Sequence, residues 1–429
     1  MNAYILISTL AMLIVNASGS SVAEATTWKT PAQALHEGLR PRPRPVIEVR
    51  LAFNGRSRPT LAIKGAQRTQ GYAPPSPVGQ IGEYQLILLG PVGETLSAVP
   101  VSVPIGMSSP PPLPGESGHE DMIVREQFEF VVPIDASPGA ETVILADSKG
   151  EVSSAPIKEN LEMHMPVQSA SIRGDQIVRP QEHSWTDRQT WEQLLFGGIS
   201  PTPFAQPQTR GLLDIVFIGD RFTNMSSFHH LVNIYASVLF EYEPFRSRAA
   251  QIALHYVDNF TDLGCRYHET VSRVIICNDA EVVRQVSRSG APYDQVIVVL
   301  NSPNYGGAAS GGNGLGQGLI STTYSGLDNT NLYVHELGHS LGNLYDEYNL
   351  YTTSGGTSNQ TQGNCYPGTP PAWEWSGIVG SSDYTLGCLY PNWYRSSPNS
   401  LMLHLSHKRF NTVSQRLLNS YMNRYTSAL

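Results

Sequence analysis

The chain has 429 residues, enough for two domains that each bury a sizeable hydrophobic core. The formal net charge is −8 and no dense run of Lys or Arg occurs, which argues against nucleic acid as a partner. Only 15% of the residues are charged, a composition common in exported proteins.

The N-terminal segment has the pattern of a signal peptide. Residues 3–15, AYILISTLAMLIV, form an uncharged apolar run that is short for a membrane span, and AEA follows at 23–25. No Lys or Arg precedes this run, so an N-terminal anchor or a buried strand remains the alternative. We expect residues 1–25 to be a signal peptide cleaved after Ala25. No later segment is apolar enough for stable membrane insertion, so we expect a secreted, periplasmic or cell-surface protein.

Residues 26–160 are predicted to form an all-β domain. Short, partly alternating apolar runs at 46–53, 83–90, 125–133 and 141–147 are separated by turns rich in Gly, Pro and Ser. Several short strands without a helical period favour a β-sandwich of immunoglobulin-like type. Nothing in this region resembles a catalytic cluster, so a role in substrate binding or a purely structural role stays open.

The remainder, residues 161–429, is predicted to form a second domain of α/β type. Residues 161–210 are interrupted by Pro and are interpreted as a lead-in segment. From residue 211 strands and helices alternate in a β-α-β-α-β order, which indicates a sheet with crossover helices. The predicted strands are 212–219, 252–257, 295–300 and 319–324, and the predicted helices are 226–242, 279–287, 329–343 and 412–422.

The four cysteines fit export to an oxidising compartment. Cys265 and Cys277 are close in sequence, and so are Cys365 and Cys388. Four cysteines allow three pairings, and local pairing within each of these loop-like segments is the simplest. None of the spacings is C-x-x-C, so a cysteine-based zinc site is the weaker interpretation.

The stretch HELGHSLGN, residues 335–343, matches two motifs that need different backbones. Read from His335 it is H-E-x-x-H, which requires a continuous helix that binds zinc. Read from Gly338 it is G-x-S-x-G, which requires a sharp turn that exposes Ser340 as the nucleophile of an esterase or lipase. Only one of the two interpretations can be right.

The zinc interpretation follows from helix geometry. His335 and His339 are four residues apart, so on a helix they differ by about 40° in direction and ~6 Å in height. Two imidazoles in this arrangement can bind one zinc ion at ~2.1 Å. Glu336 lies on the adjoining face, where it can take a proton from a water molecule on the metal.

A catalytic zinc site needs a third protein ligand and one open position. Gly342 and Asn343 are suited to end the helix in a left-handed turn that brings the chain back toward the metal. Asp346 then offers an oxygen ligand within a short span, and Glu347 is the competing candidate.

The sequence HELGHSLGNLYDEY, residues 335–348, resembles the signature of the igalysins, the M64 family of metzincin metallopeptidases. That family shows H-E-x-x-H, a helix-ending residue and then Asp in an L-x-D-E-Y tail. The resemblance implies His335, His339 and Asp346 as ligands of Zn²⁺. It also implies Glu336 as the catalytic base.

The resemblance extends more weakly to the rest of the chain. Asn343 stands where the family pattern has Gly, and Asn tolerates a positive φ better than other non-glycine residues. Met402 follows SPNS and precedes the predicted last helix, so it is interpreted as the methionine of a metzincin Met-turn rather than an ordinary core residue. The resemblance thus implies an immunoglobulin-like all-β domain followed by a metzincin-like α/β zinc peptidase domain.

Two features near the cleft are weaker candidates. His404 lies two residues past Met402 and is a possible donor to the oxyanion, with Tyr390 and Tyr394 as competitors. The glycine-rich segment 305–318 lacks the features of a phosphate loop. It suits the wall of a cleft that offers a strand edge to an extended substrate, although a solvent loop without a role is equally compatible.

The esterase interpretation requires an acid and a histidine after Ser340, for which Asp383 with His404 or His407 are the available residues. Only 89 residues follow Ser340, which is few for the rest of an α/β-hydrolase, and no Gly-rich oxyanion loop precedes the site. A non-enzymatic surface-binding protein with a structural zinc is a further alternative, but such a site has no need of Glu336.

The sequence therefore predicts a secreted zinc-dependent endopeptidase. In this reaction Glu336 activates a zinc-bound water for attack on a peptide bond, and the expected partners are protein or peptide substrates. The physiological substrate does not follow from these residues.

Overall fold

A computed structural model of the chain describes residues 44–426, with gaps at 56–58, 75–83, 102, 113–121, 160–168, 178–210, 313–317, 329, 357–362, 368–374, 376 and 381–383. The predicted signal peptide and most of the predicted lead-in segment lie outside the described residues. No helix within the described part is long and apolar enough to span a bilayer.

In the described residues before 160 every regular element is a strand, as predicted. In chain order its strands are β1 (Arg44–Asn54), β2 (Thr60–Gly71), β3 (Tyr84–Leu89), β4 (Thr95–Val101), β5 (Gly106–Ser108), β6 (Met122–Val124), β7 (Gln127–Asp135), β8 (Thr142–Asp147) and β9 (Gly150–Glu159). Seven of them form one sheet in the order β4-β3-β8-β9-β2-β1-β7. Within it, β2 and β9 run parallel and the other neighbours run antiparallel.

Alternation along the strands builds the core of this first sheet. Ile47, Val49 and Leu51 point to the same face of β1 because successive side chains of a strand alternate between its faces. They share one hydrophobic cluster with residues from the far half of the sheet, including Leu86 of β3 and Val143 of β8. Strands from both halves of the sheet therefore enclose a common core.

The second region is organised around an eight-stranded sheet. Its strands and those of two small sheets are β10 (Ser169–Arg173), β11 (Leu213–Asp220), β12 (Ile252–Val257), β13 (Arg266–Tyr267), β14 (Ile275–Ile276), β15 (Gln295–Leu300), β16 (Gly307–Ser310), β17 (Ile320–Tyr324), β18 (Cys365–Tyr366), β19 (Thr385–Cys388) and β20 (Tyr390–Arg395). The large sheet has the order β10-β12-β11-β15-β17-β16-β5-β6.

The middle of this sheet is parallel and its ends are antiparallel. Strands β12, β11, β15 and β17 run parallel to one another, whereas β10 pairs antiparallel with β12 and β16 pairs antiparallel with β17. All six residues of β15 are buried, as expected for a parallel strand covered on both faces. The predicted α/β arrangement is thus present, with antiparallel pairing at both ends of its parallel strands.

Within the described residues, four helices accompany these strands. They are α1 (Met225–Leu239), α2 (Asp279–Ser289), α3 (Leu332–Gly342) and α4 (Thr412–Thr426), with short 3-10 turns at Gly174–Gln176 and Ala249–Gln251. Asn224 and Asn278 cap α1 and α2 by accepting hydrogen bonds from the N–H groups of Ser226 and Glu281. Each helix lies within a few residues of its predicted position.

Strands β5 and β6 join the first region to the second sheet. Both belong to the segment predicted as a separate β domain, but β5 pairs antiparallel with β16, and β6 pairs with β5. A second connection is the ion pair at 2.6 Å between Arg125 and Asp279, the first residue of α2. The two regions are therefore joined through a continuous hydrogen-bonded ladder.

Both predicted disulfides, Cys265–Cys277 and Cys365–Cys388, are formed. Cys365 and Cys388 are fully buried in a small hydrophobic cluster with Tyr345, next to the predicted third metal ligand. The sheet β18-β20-β19 surrounds this bridge.

We predict that removal of the Cys365–Cys388 disulfide lowers the free energy of unfolding more than removal of Cys265–Cys277. The bridges join residues separated by 23 and 12 positions, and the chain-entropy cost of closing a loop grows with its length. Each double alanine variant should lose about 3 kcal/mol, with a difference of about 0.6 kcal/mol between them, measured by urea denaturation. A larger loss for the Cys265–Cys277 variant contradicts this explanation.

Candidate metal centre

Helix α3 carries the H-E-x-x-H residues through the centre of the second region. Every residue from Leu332 to Gly342 is buried. Leu337 and Leu341 belong to the main hydrophobic cluster, and α3 packs against β16, β17 and α4. Because one face of α3 is anchored in the core, the direction of its two histidines is fixed by packing.

The end of α3 turns the chain back toward these histidines. Asn343 has the left-handed conformation, with φ of 47°. The N–H of Asn343 donates to the carbonyl of His339 at 3.0 Å, and the N–H of Leu344 donates to the carbonyl of Gly338 at 3.2 Å. Both bonds satisfy carbonyls of the last helical turn. The predicted left-handed turn at Asn343 is therefore present.

Three atoms that could donate to a metal ion lie close together beside α3. His335 Nε2 and His339 Nε2 lie 3.2 Å apart. Asp346 Oδ1 lies 3.3 Å from the first of these nitrogens and 3.2 Å from the second. His335, His339 and Asp346 are the group within the described residues whose ligand atoms lie close enough to share a metal ion. All three side chains are fully buried.

This triangle fits a zinc ion. Ligand atoms in a tetrahedral zinc site with bonds of ~2.1 Å are about 3.4 Å apart, close to the distances found here. Two neutral imidazoles and one carboxylate are also a donor set that zinc accepts.

The second nitrogen of each histidine is bound to a main-chain carbonyl. His335 Nδ1 lies 3.0 Å from the carbonyl oxygen of Leu401, and His339 Nδ1 lies 2.7 Å from that of Leu344. A carbonyl only accepts, so each Nδ1 carries the proton and each Nε2 presents its lone pair to the donor triangle. Both imidazoles are thus held in the tautomer that binds metal.

Charge favours the metal-binding protonation states. Burial lowers the pKa of His335, which keeps its ring neutral. Burial alone raises the pKa of Asp346, but the neighbouring His339 and His335 outweigh it and hold the pKa below its usual value. Asp346 is therefore an anion despite its burial.

Glu347, the competing third ligand, has a different set of partners. Its Oε1 accepts hydrogen bonds from Asn364 (2.8 Å), Asn411 (2.7 Å) and Ser414 (3.2 Å). Burial raises the pKa of Glu347 to about 7, although these three donors oppose the shift. The geometry favours Asp346 as the ligand and gives Glu347 contacts with the loop before β18 and with α4.

Glu336 is the polar side chain of this site that lacks a partner. It is fully buried, and neither carboxylate oxygen has a hydrogen-bond partner among the described residues. Burial, followed by the negative charge of Asp346, raises its pKa well above the usual value. A buried carboxyl without partners is costly in a structural role, so it is a candidate for proton transfer.

Met402 lies in a tight turn beneath α3. The N–H groups of Leu403 and His404 both donate to the carbonyl of Ser400. Met402 is fully buried, and a Cβ added at Gly338 would lie 2.9 Å from its sulfur atom. The carbonyl of Met402 also accepts the N–H of Glu347 at 2.8 Å. The turn thus contacts both the zinc-motif helix and the ligand loop.

The predicted oxyanion donors have contacts of their own. His404 is exposed, and its Nδ1 bonds the hydroxyl of Ser406 at 2.7 Å. Tyr390 stacks against Tyr351, and Tyr394 packs in the cluster around Trp375. Their role as oxyanion support stays a prediction.

Ser340 does not have the geometry that an esterase requires. Helix α3 continues through it to Gly342, so the sharp turn of a nucleophile elbow is absent at this position. Ser340 is fully buried, and its Oγ lies 2.9 Å from the Oγ of Ser321. The esterase interpretation is therefore wrong about the backbone at Ser340.

Three residues near the site were not identified from the sequence. Burial, followed by the negative charges of Asp346 and Glu336, raises the pKa of Tyr348. Arg273 and Tyr305 also act electrostatically on Tyr348. Tyr348 could have been identified from the sequence because it lies just after the predicted ligands. No motif or spacing marks Arg273 or Tyr305.

A glycine that follows β16 allows the main chain to lie close to His339. Gly312, which follows β16, has φ of +77°, and a Cβ there would lie 2.7 Å from Cβ and Nδ1 of His339. Gly312 is one of four described glycines in residues 305–318 at which a side chain has no room, together with Gly306, Gly307 and Gly318.

The continuous H-E-x-x-H helix and the carboxylate that follows it form a group that could bind a metal ion. In comparison with known families, residues 227–367 match the model described as IgA Peptidase M64. This match confirms the predicted resemblance to the M64 family and covers the segment that carries all three candidate ligands. Among curated protein sequences none matches the chain significantly.

We predict that Asp346→Ala raises the zinc dissociation constant about 100-fold or more, because it removes one of three donors. Glu347→Gln, the matched control at the neighbouring carboxylate, should change zinc affinity by less than about tenfold because it retains the volume of the side chain. Competition with a chromophoric chelator measures both constants. Equal losses in the two variants contradict the assignment of Asp346.

Proposed function

We propose that the protein is a secreted zinc-dependent endopeptidase that hydrolyses peptide bonds in protein substrates. The observation that carries the proposal is the triangle of His335, His339 and Asp346 beside the buried, unpartnered carboxylate of Glu336. The family match to residues 227–367 supports the same reaction class.

In the proposed reaction the three ligands and Glu336 have different roles. Zinc held by His335, His339 and Asp346 would supply a Lewis acid for the scissile carbonyl and would lower the pKa of water. The carboxylate of Glu336 takes a proton from the attacking water and donates it to the nitrogen of the leaving amine. Glu336 holds the proton between the two transfers.

Met402 acts in this proposal as the structural base of a Met-turn. Its turn supports Gly338 of α3 from below, and the preceding residue, Leu401, orients His335 through its carbonyl. His404 keeps only the weaker role of oxyanion support named from the sequence, and its exposure does not favour that role.

The domain arrangement proposed is an immunoglobulin-like β-sandwich over residues 26–160 and a metzincin-like catalytic domain over residues 161–429. A core shared by both halves of the seven-stranded sheet supports the first part. A largely parallel sheet that carries an H-E-x-x-H helix supports the second.

Secretion is proposed from the predicted signal peptide and from the two disulfides, which persist in oxidising compartments. A non-enzymatic protein with a structural zinc is disfavoured by Glu336, since a purely structural site gains nothing from an unpartnered buried carboxyl.

We predict that Glu336→Gln retains zinc but reduces kcat for casein hydrolysis by about 10²–10⁴-fold, the usual contribution of a general base. Glutamine has the shape of glutamate but cannot accept the proton. Metal content by elemental analysis and initial rates on labelled casein are measured on the same preparation. Unchanged hydrolysis by a zinc-loaded variant excludes this mechanism.

We also predict opposite responses to two inhibitors. The chelator 1,10-phenanthroline should abolish hydrolysis, and added zinc should restore it, because zinc supplies the Lewis acid. An organophosphonate, which modifies exposed nucleophilic serines, should leave the rate unchanged because Ser340 is buried in a helix. The reverse pattern would restore the serine mechanism.

A further inference from the structure

Strand β5 occupies the outer edge of β16. Ser108 pairs with Ala309 and Met107 pairs with Ser310 in antiparallel register. The N–H of Gly311 donates to the carbonyl of Gly106 at 3.2 Å, and the hydroxyl of Ser108 donates to the carbonyl of Gly311 at 2.9 Å. A peptide in extended conformation can add to a sheet edge in this way through main-chain bonds.

The main-chain carbonyls of the three residues after β5 each accept a hydrogen bond from a side chain. Nε of Arg273 donates to the carbonyl of Pro110 at 2.9 Å. The hydroxyl of Tyr305 donates to the carbonyl of Pro111 at 2.8 Å, and the hydroxyl of Tyr348 donates to the carbonyl of Ser109 at 3.4 Å. Every residue of a polypeptide has a carbonyl, so these donors can receive main chain of any sequence.

The segment is also built for an extended conformation. Proline at positions 110 to 112 disfavours helical backbone at each residue that precedes it. Ser109 and Pro110 are buried, so the segment is packed against the rest of the protein. An extended, packed segment of this kind has the conformation in which peptides add to sheet edges.

This segment runs beside the metal centre. Gly312, adjacent to the Gly311 that β5 contacts, lies against His339. Tyr348, which binds the carbonyl of Ser109, lies two residues past Asp346. Glu336 and the three metal donors are at the same time fully buried. The chain therefore covers a site that a protein substrate must reach.

We propose that residues 106–111, held on the outer edge of β16 by Tyr348, Arg273 and Tyr305, are an internal ligand of this chain that a protein substrate must displace to reach the metal centre. The inference rests on the proposed function, because it concerns the access of the peptide substrate to that site. It also assigns the first region a role in controlling access to the metal centre.

A purely structural cover for the sheet edge is the competing explanation. Proteins protect exposed edge strands from pairing with other chains, and β5 with β6 does protect β16. Edge protection accounts for the strand pairing. It gives no reason for three side-chain donors to converge on consecutive carbonyls next to a catalytic carboxylate.

The test weakens the pairing of β5 and measures binding without hydrolysis. In the Glu336→Gln background, Ser108→Pro removes an N–H from β5 and the hydroxyl that bonds Gly311. The matched control is Ser97→Pro, the same change in edge strand β4 of the first sheet. The probe is fluorescein-labelled β-casein, an unfolded chain whose binding is followed by fluorescence anisotropy.

We expect Ser108→Pro to strengthen casein binding about fivefold or more, since affinity rises with the fraction of molecules whose site is open. Ser97→Pro should leave the affinity unchanged. Unchanged or weaker binding by a folded Ser108→Pro variant overturns the inference, and so does the absence of casein binding in every variant.

A second measurement does not depend on the folding of that variant. With the Glu336→Gln protein, saturating casein should accelerate hydrogen exchange of the amides in residues 106–108 while β16 stays protected. Unchanged exchange in residues 106–108 overturns the inference. Because both readouts are made without hydrolysis, failure of the wild-type protein to cleave casein would reject the proposed function and leave this result standing.

Discussion

Two hydrogen bonds from imidazole to main chain determine the geometry of the whole centre. The carbonyls of Leu401 and Leu344 each accept a hydrogen bond from Nδ1 of a histidine, so both Nε2 atoms are aimed at the same point. These carbonyls come from different parts of the chain, one from the Met402 turn and one from the residue after the left-handed turn at Asn343. The site therefore forms only when the helix end and the downstream turn are both in place.

Glu347 connects these parts to the C-terminal helix. Its side chain accepts from residues before β18 and at the start of α4, and its N–H binds the carbonyl of Met402. The neighbouring Asp346 is thereby held at the metal centre by a buried network that spans distant segments. Buried networks of this kind are stabilising when each member has its partners.

The local parts of this architecture were predictable from the sequence. Periodicity located the strands 252–257 and 295–300, and the helix with its left-handed end followed from HELGHSLGN. Local motifs carry this information because helix geometry alone brings His335 and His339 together. The short separation from Asn343 to Asp346 made the third donor predictable for the same reason.

The long-range parts were not predictable in this way. Strand β5 has three residues and no distinctive period, so nothing in it signals that it pairs with β16, some 200 residues later. Arg273 and Tyr305 contact the same segment from separate loops. The role of His404 was inferred from its distance in sequence from Met402 alone, and it stays a prediction for this exposed side chain.

Because Gly312 has no side chain, the main chain at this position can approach His339 closely. With only hydrogen on its α-carbon, the backbone there approaches the imidazole of His339 about as closely as non-bonded atoms allow. The main chain at the end of β16 consequently lies nearer to this candidate metal ligand than a residue with a side chain would permit. A larger residue at position 312 would have to displace either this segment or the ring of His339.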